Sequence, residues 1–122
     1  MAASLTEIVI DCNDVRRVAE FWCEVLGWPL QETENGELWT SATGDFTARP
    51  FLVFEPVTEK KTVKNRLHID VSPTGCDQAE ELERLLALGA TRVDVGQGDV
   101  PWVVLADIED NEFCLLGRRV DD

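Results

Sequence analysis

The sequence predicts an α+β domain of two βαβββ modules. The order strand, capped helix, three strands occurs twice, both helices stop at Leu-Gly (Leu26-Gly27 and Leu88-Gly89), and the repeats are offset by about sixty residues, a period typical of internally duplicated folds. With four strands expected between the helices, the pattern departs from a ferredoxin-like β-α-β-β-α-β sandwich, which places only two there.

The first strand is read at 7–12, where Ile8, Ile10 and Cys12 alternate with Glu7, Val9 and Asp11. Asn13 or Asp14 can then accept from the free N–H groups of a helical first turn. Val15, Val18, Ala19, Trp22, Val25 and Leu26 recur at steps of three and four before Gly27 supplies a left-handed stop. Strands follow at 30–33, 37–42 and 51–57; Asn35-Gly36 predicts a hairpin turn, and a loop surrounds Gly44-Asp45. The Lys-rich stretch that follows Val57 reads as a connection without secondary structure.

The order restarts at 66–71, with Leu67, Ile69 and Val71 alternating against His68 and Asp70. A second helix begins after Asp77, with Glu80 placed as in a capping box and Ala79, Leu82, Leu85 and Leu86 as its expected buried stripe. Strands are expected at 91–95, 102–107 and 112–117. Module one thus covers about 5–57, the connection about 58–65 and module two about 66–119, within a single domain of residues 1–122.

Composition narrows the function classes. The 122 residues carry 24 acids against 11 Lys and Arg, a net charge of −13, so a polyphosphate such as nucleic acid is repelled. No run approaches the roughly 20 apolar residues of a membrane span, and the N-terminus lacks the basic and apolar regions of a secretory signal, so the expected location is cytoplasmic, with no membrane partner. Cys12, Cys23, Cys76 and Cys114 show neither C-x-x-C pairing nor zinc-ligand spacing and are expected as reduced thiols. Phosphate-binding glycine loops and the G-x-S-x-G elbow are missing, which sets aside nucleotide-dependent and serine-hydrolase chemistry.

Three segments carry a family resemblance. They are Glu7-Ile-Val-Ile-Asp-Cys-Asn-Asp14 continued by Phe21-Trp22 and Leu26-Gly27-Trp28; Asn65-Arg-Leu-His-Ile-Asp70 leading to Leu88-Gly-Ala90; and the run from Trp102 through Asp107-Ile-Glu-Asp-Asn111 to Leu116. Together they resemble the glyoxalase-like branch of the vicinal oxygen chelate (glyoxalase/bleomycin resistance/dioxygenase) superfamily. The resemblance implies curled mixed sheets with helices on the convex side, a cavity on the concave side, and a homodimer. Strand alternation divides the residues accordingly: Ile8, Ile10, Leu67, Ile69, Phe113 and Leu115 toward the helices, and Glu7, Asp11, His68, Asp70, Glu112 and Cys114 toward the cavity.

Metal-dependent members of the superfamily hold a divalent cation with His, Glu or Gln from four strands. Carried over, those positions are Glu7, a residue near Leu52, His68 and Cys114, of which only Glu7 and His68 match, so no metal site is assigned and a divalent cation stays open. His68, the sole histidine, reads equally as a proton-transfer residue and as a strand histidine bonded to a neighbouring acid or the backbone. Cys114 reads as a packed thiol, since no cation or helix N-terminus stands beside it in sequence. Trp39 and Trp102 sit at polar-flanked strand positions suited either to stacking a flat ligand or to ordinary packing, whereas Trp22 and Trp28 suit the core and a helix end. The expected ligand site is therefore Glu7, Asp11, Trp39, His68, Asp70, Trp102, Glu112 and Cys114, an acidic cavity for a cationic or planar organic molecule. Two functions stand side by side: a metal-free binding protein of the bleomycin resistance type, and a metal-dependent lyase, isomerase or dioxygenase.

Overall fold

A computed structural model describes residues 1–121. The chain divides into two compact units, Met1–Lys60 and Lys61–Asp122. In the first, β1 (Glu7–Cys12), α1 (Val15–Leu26), β2 (Leu30–Glu32), β3 (Leu38–Thr40) and β4 (Phe51–Pro56) form a sheet of order β1-β4-β3-β2. The second repeats this with β5 (Ile69–Val71), α2 (Gln78–Leu88), β6 (Thr91–Arg92), β7 (Val103–Ala106) and β8 (Glu112–Leu115), in the order β5-β8-β7-β6. Each sheet is mixed, with a parallel pair (β1 with β4, β5 with β8) beside antiparallel ones, and each is open. The predicted two βαβββ modules are present, four strands lying between the helices.

In the first module the helix is built as its residues predict. Asp14 accepts from Arg17 N at 3.3 Å, and Gly27 takes φ 68°, where a side chain would be strained. Asn13, the alternative cap, is used elsewhere: its amide donates to the Val57 and Glu59 carbonyls and ties the strand end to the connection. The apolar stripe of α1 buries Val18, Ala19, Phe21, Trp22, Cys23 and Val25, each large side chain contributing about 1.5–3 kcal/mol. The sheet face beneath it carries Leu38, Thr40, Leu52 and Phe54, all nearly inaccessible, with Thr40 bonded to Cys23. The Asn35-Gly36 hairpin forms, with Thr33 N donating to Glu37 O and Gly36 at φ 82°.

Module two departs from expectation in three places, the first being the strand expected at 91–95, which is only Thr91–Arg92. The strand expected at 66–71 is reduced to Ile69–Val71, whose pairing with β8 begins at Phe113, and Leu67, expected in the core, is 88% exposed. The stripe of α2 is also rotated: Glu81 and Leu85 are buried, whereas Ala79 and Leu86 are exposed. Two polar residues account for this. Gln78 Nε2 donates to the Leu115 and Pro101 carbonyls, and Glu81 is forked by Arg84 at 2.9 and 2.8 Å, so a carboxylate can occupy the inner face at the expense of alkyl groups. Asp77 caps the helix as predicted, accepting from Glu80 N at 2.9 Å. Ile8, expected toward the helix, is 37% exposed on an edge strand. All four cysteines are free. Among the described residues no helix is long and apolar enough to cross a membrane.

Candidate functional site

Register sets the polar face of module two. Asp70 pairs with Cys114 and Cys114 with Val104, so these three side chains share a face, while Ile69, Phe113 and Leu105 share the other. Phe113, Leu115 and Leu105 are wholly buried. The opposite face opens into a cavity of about 400 Å³, within the range of small-molecule sites. Its walls are mainly apolar (Val95, Trp102, Val104 and Leu116), and Lys64, His68, Asp70, Gln97, Glu112 and Cys114 bring polar atoms to it. Five expected site residues, His68, Asp70, Trp102, Glu112 and Cys114, thus come together in one module.

Their polar atoms are largely answered within the fold. His68 Nε2 lies 3.2 Å from Asp70 Oδ1, an ion pair whenever the imidazole is protonated. Burial pushes the Cys114 thiol up, and Asp70 raises it further as a neighbouring charge and as the acceptor of its proton; Lys64 opposes this weakly. At neutral pH Cys114 is thus a thiol, not the thiolate a nucleophile requires. Glu112 is committed on both oxygens, to Lys61 Nζ and Asn65 N, each at 2.9 Å. Burial works to raise its pKa, but the Asn65 amide and the Lys61 ammonium outweigh burial and bring it below the ordinary carboxylate range. The acidity expected of this cavity is therefore largely neutralised, since the chain's connecting segment carries its own cation to Glu112.

The remaining expected residues stand in module one. Glu7 and Asp11 lie on β1 opposite Phe51 and Glu55, on the face turned away from α1. Trp39 shares that face, paired with Val53, and is 8% exposed because Phe46 stacks on it at 4.1 Å and 13° while Phe51 meets it edge-on at 5.7 Å. The first-module counterpart of Cys114, expected near Leu52, falls by face on Val53, which pairs with Val9 and Trp39 on the side turned away from α1; Leu52 itself lies on the helix side.

Sequence reasoning missed Lys64, Val95, Gln97, Val104 and Leu116. Val104 and Leu116 follow from parity once β7 and β8 are placed against Cys114. Lys64 was read as part of a featureless connection, and Val95 and Gln97 stand on a loop whose course depends on its own bonds, Val95 N to Gln97 Oε1 and Gly96 N to Asp94 Oδ1.

The sequence profile of the glyoxalase-like domain family matches residues 7–116. Among curated proteins no sequence matches. Among solved structures, the fosfomycin resistance protein FosX from Mesorhizobium loti is similar at TM-score 0.69 and 15% identity, covering 95% of this chain and 92% of that one. A glyoxalase/bleomycin resistance protein/dioxygenase family enzyme from Burkholderia phytofirmans is similar at TM-score 0.64 and 17% identity over 93% and 97%. FosX from Listeria monocytogenes aligns at TM-score 0.67 and 16% identity over 97% and 93%. At such identities the likeness to these structures concerns the fold alone, whereas the profile spans both modules: the chain belongs to the glyoxalase-like domain family of the vicinal oxygen chelate superfamily.

Proposed function

We propose that this protein binds a small organic molecule in the module-two cavity and does so without the four-ligand metal site of its superfamily. The observation that carries the reading is the combination of an apolar cavity of about 400 Å³ with a polar end at His68, Asp70 and Cys114. Such a site has walls to desolvate a ligand and a few polar groups to orient it. The residues at the superfamily's ligand positions do not fit a divalent cation held from both modules. Val53, the counterpart of Cys114 by face, has no donor atom, and neither does its neighbour Leu52. Both oxygens of Glu112 are engaged, by Lys61 Nζ and Asn65 N.

The second reading, a metal-dependent lyase, isomerase or dioxygenase, is favoured by one fact. Donor atoms of His68, Asp70 and Cys114 lie within 4.8 Å of one another, and imidazole, carboxylate and sulfur together suit a zinc-class ion. Elemental analysis of untagged protein after incubation with Zn, Ni, Mn and Fe(II), beside His68→Ala, separates the two. The expected result is far less than one metal per chain. Near-stoichiometric metal that disappears in the variant would overturn the metal-free reading.

The same reading treats the chain as one cytoplasmic domain that forms a homodimer. Exposed Ile8 and Val9 on the edge strand β1 support a second copy at that edge, and sedimentation at micromolar concentration tests it.

A further inference from the structure

Resting on the binding function just stated, we propose that the module-two cavity selects an anionic ligand, a planar apolar molecule bearing one carboxylate, and that Lys64 is the residue that recognises the charge. A chain of net charge −13 makes a cation the first guess, but the cavity's charges differ in how far the fold already pairs them.

Glu112 is spent. Its two oxygens take Lys61 and the Asn65 amide at 2.9 Å, and the Lys61 and Glu112 side chains are only 18% and 14% exposed, so the pair cancels as a unit in the wall. Asp70 accepts the proton of the Cys114 thiol and lies 3.2 Å from His68, which pairs with its charge once the imidazole is protonated. Lys64 is different. Its ammonium has three donors and gives one, at 3.2 Å, to the Asn65 carbonyl, a neutral partner one residue away. No carboxylate lies within ion-pair distance of it among the described residues, and its field reaches the cavity as far as Cys114.

The Lys61 and Asn65 bonds to Glu112 also explain why Lys64 stands at the rim. They bracket it in sequence and fasten the connecting segment to β8 on either side. A ligand that lays an apolar ring system along Trp102 and Leu116 and offers a carboxylate to Lys64 satisfies the donors that this ammonium leaves unused.

Three matched probes, 2-naphthoate, 2-naphthol and 2-naphthylmethylammonium, titrated calorimetrically at low ionic strength, test charge selection with shape held constant. Naphthoate is expected to bind about tenfold more tightly than the ammonium probe, and Lys64→Met to remove about tenfold of naphthoate affinity while leaving naphthol unchanged. Trp102→Ala is expected to weaken all three. Tighter binding of the ammonium probe, or naphthoate affinity untouched in Lys64→Met, would overturn the charge assignment while the cavity stood as a ligand site. Binding of none of the three, or binding indifferent to Trp102→Ala, would overturn the site itself and the proposal with it.

Discussion

The two modules share one topology and treat the same sheet face in opposite ways. In module one the face turned away from the helix is filled by the module's own aromatics, Trp39, Phe46 and Phe51, packed around Val53. In module two the corresponding face is left open, with Asp70 and Cys114 at its centre. Loop placement explains the contrast. Module one puts its long loop between β3 and β4, at 41–50, and that loop delivers Phe46 onto Trp39. Module two closes the equivalent gap with a tight turn at 107–111 and puts its long loop between β6 and β7, where Val95 and Gln97 form a wall instead of a plug. A duplicated framework can thus fill this face in one copy and leave it open as a cavity in the other.

The largest expected effect tests this contrast directly. Trp39→Ala should cost about 3–5 kcal/mol, as for a large buried aromatic, whereas Trp102→Ala should cost about 1 kcal/mol or less, because Trp102 is 40% exposed. Denaturant unfolding of both variants measures the difference. Equal losses would mean that Trp102 is as much a core residue as Trp39 and that the faces do not differ in kind.

The next effect is specific to module two. Lys61→Met leaves Glu112 in a mostly buried wall with only the Asn65 amide, at an expected cost of about 2 kcal/mol. The sign of the pH dependence follows from Glu112 lying below its ordinary pKa in the folded protein. Its contribution is complete above the unfolded carboxylate pKa, near 4, and is lost as pH falls through the depressed folded value. The stability advantage of the wild type over Glu112→Gln should therefore be constant at neutral pH and shrink on the acid side of the carboxylate range. A constant difference down to pH about 2 would show that the carboxylate charge is not what holds the segment.

What the sequence disclosed and what it withheld divide along the same line. Elements fixed by local chemistry were legible: the Asp14 and Asp77 caps, the Gly27 and Gly89 stops, the Asn35-Gly36 hairpin, and the strand parity that sends Asp70 and Cys114 to one face. Elements fixed by distant partners were not. The inner face of α2 turns on Gln78 reaching carbonyls at Pro101 and Leu115, contacts that periodicity cannot anticipate. Lys61 neutralises Glu112 across 51 positions of chain, so a cavity that counts as acidic by composition is nearly balanced in space. Trp39 and Trp102 read alike as strand tryptophans; the ring stacked on Trp39 comes from a loop, Phe46, that no local pattern ties to it.

The smallest expected effect compares the two loops that produce the contrast. Module one meets its backbone requirement with glycine: Gly44 sits at φ 87°, and a Cβ there would lie 3.0 Å from Gln31 Nε2 and 3.1 Å from Pro29 Cγ. Module two places Asp110 at φ 71° in the turn that Asp107 organises by accepting from Glu109 N, Asn111 N and Asn111 Nδ2. Asp tolerates the left-handed region better than most residues but not without cost. Asp110→Gly should therefore stabilise the protein by about 0.5 kcal/mol, raising Tm by about 2 °C, and Gly44→Ala should destabilise it by about 1–2 kcal/mol. Thermal unfolding of both variants reads the opposed signs. A loss in Asp110→Gly would mean that the aspartate side chain contributes to the turn more than its backbone strain removes, and that the tight turn keeping module two open depends on that residue as well as on Asp107.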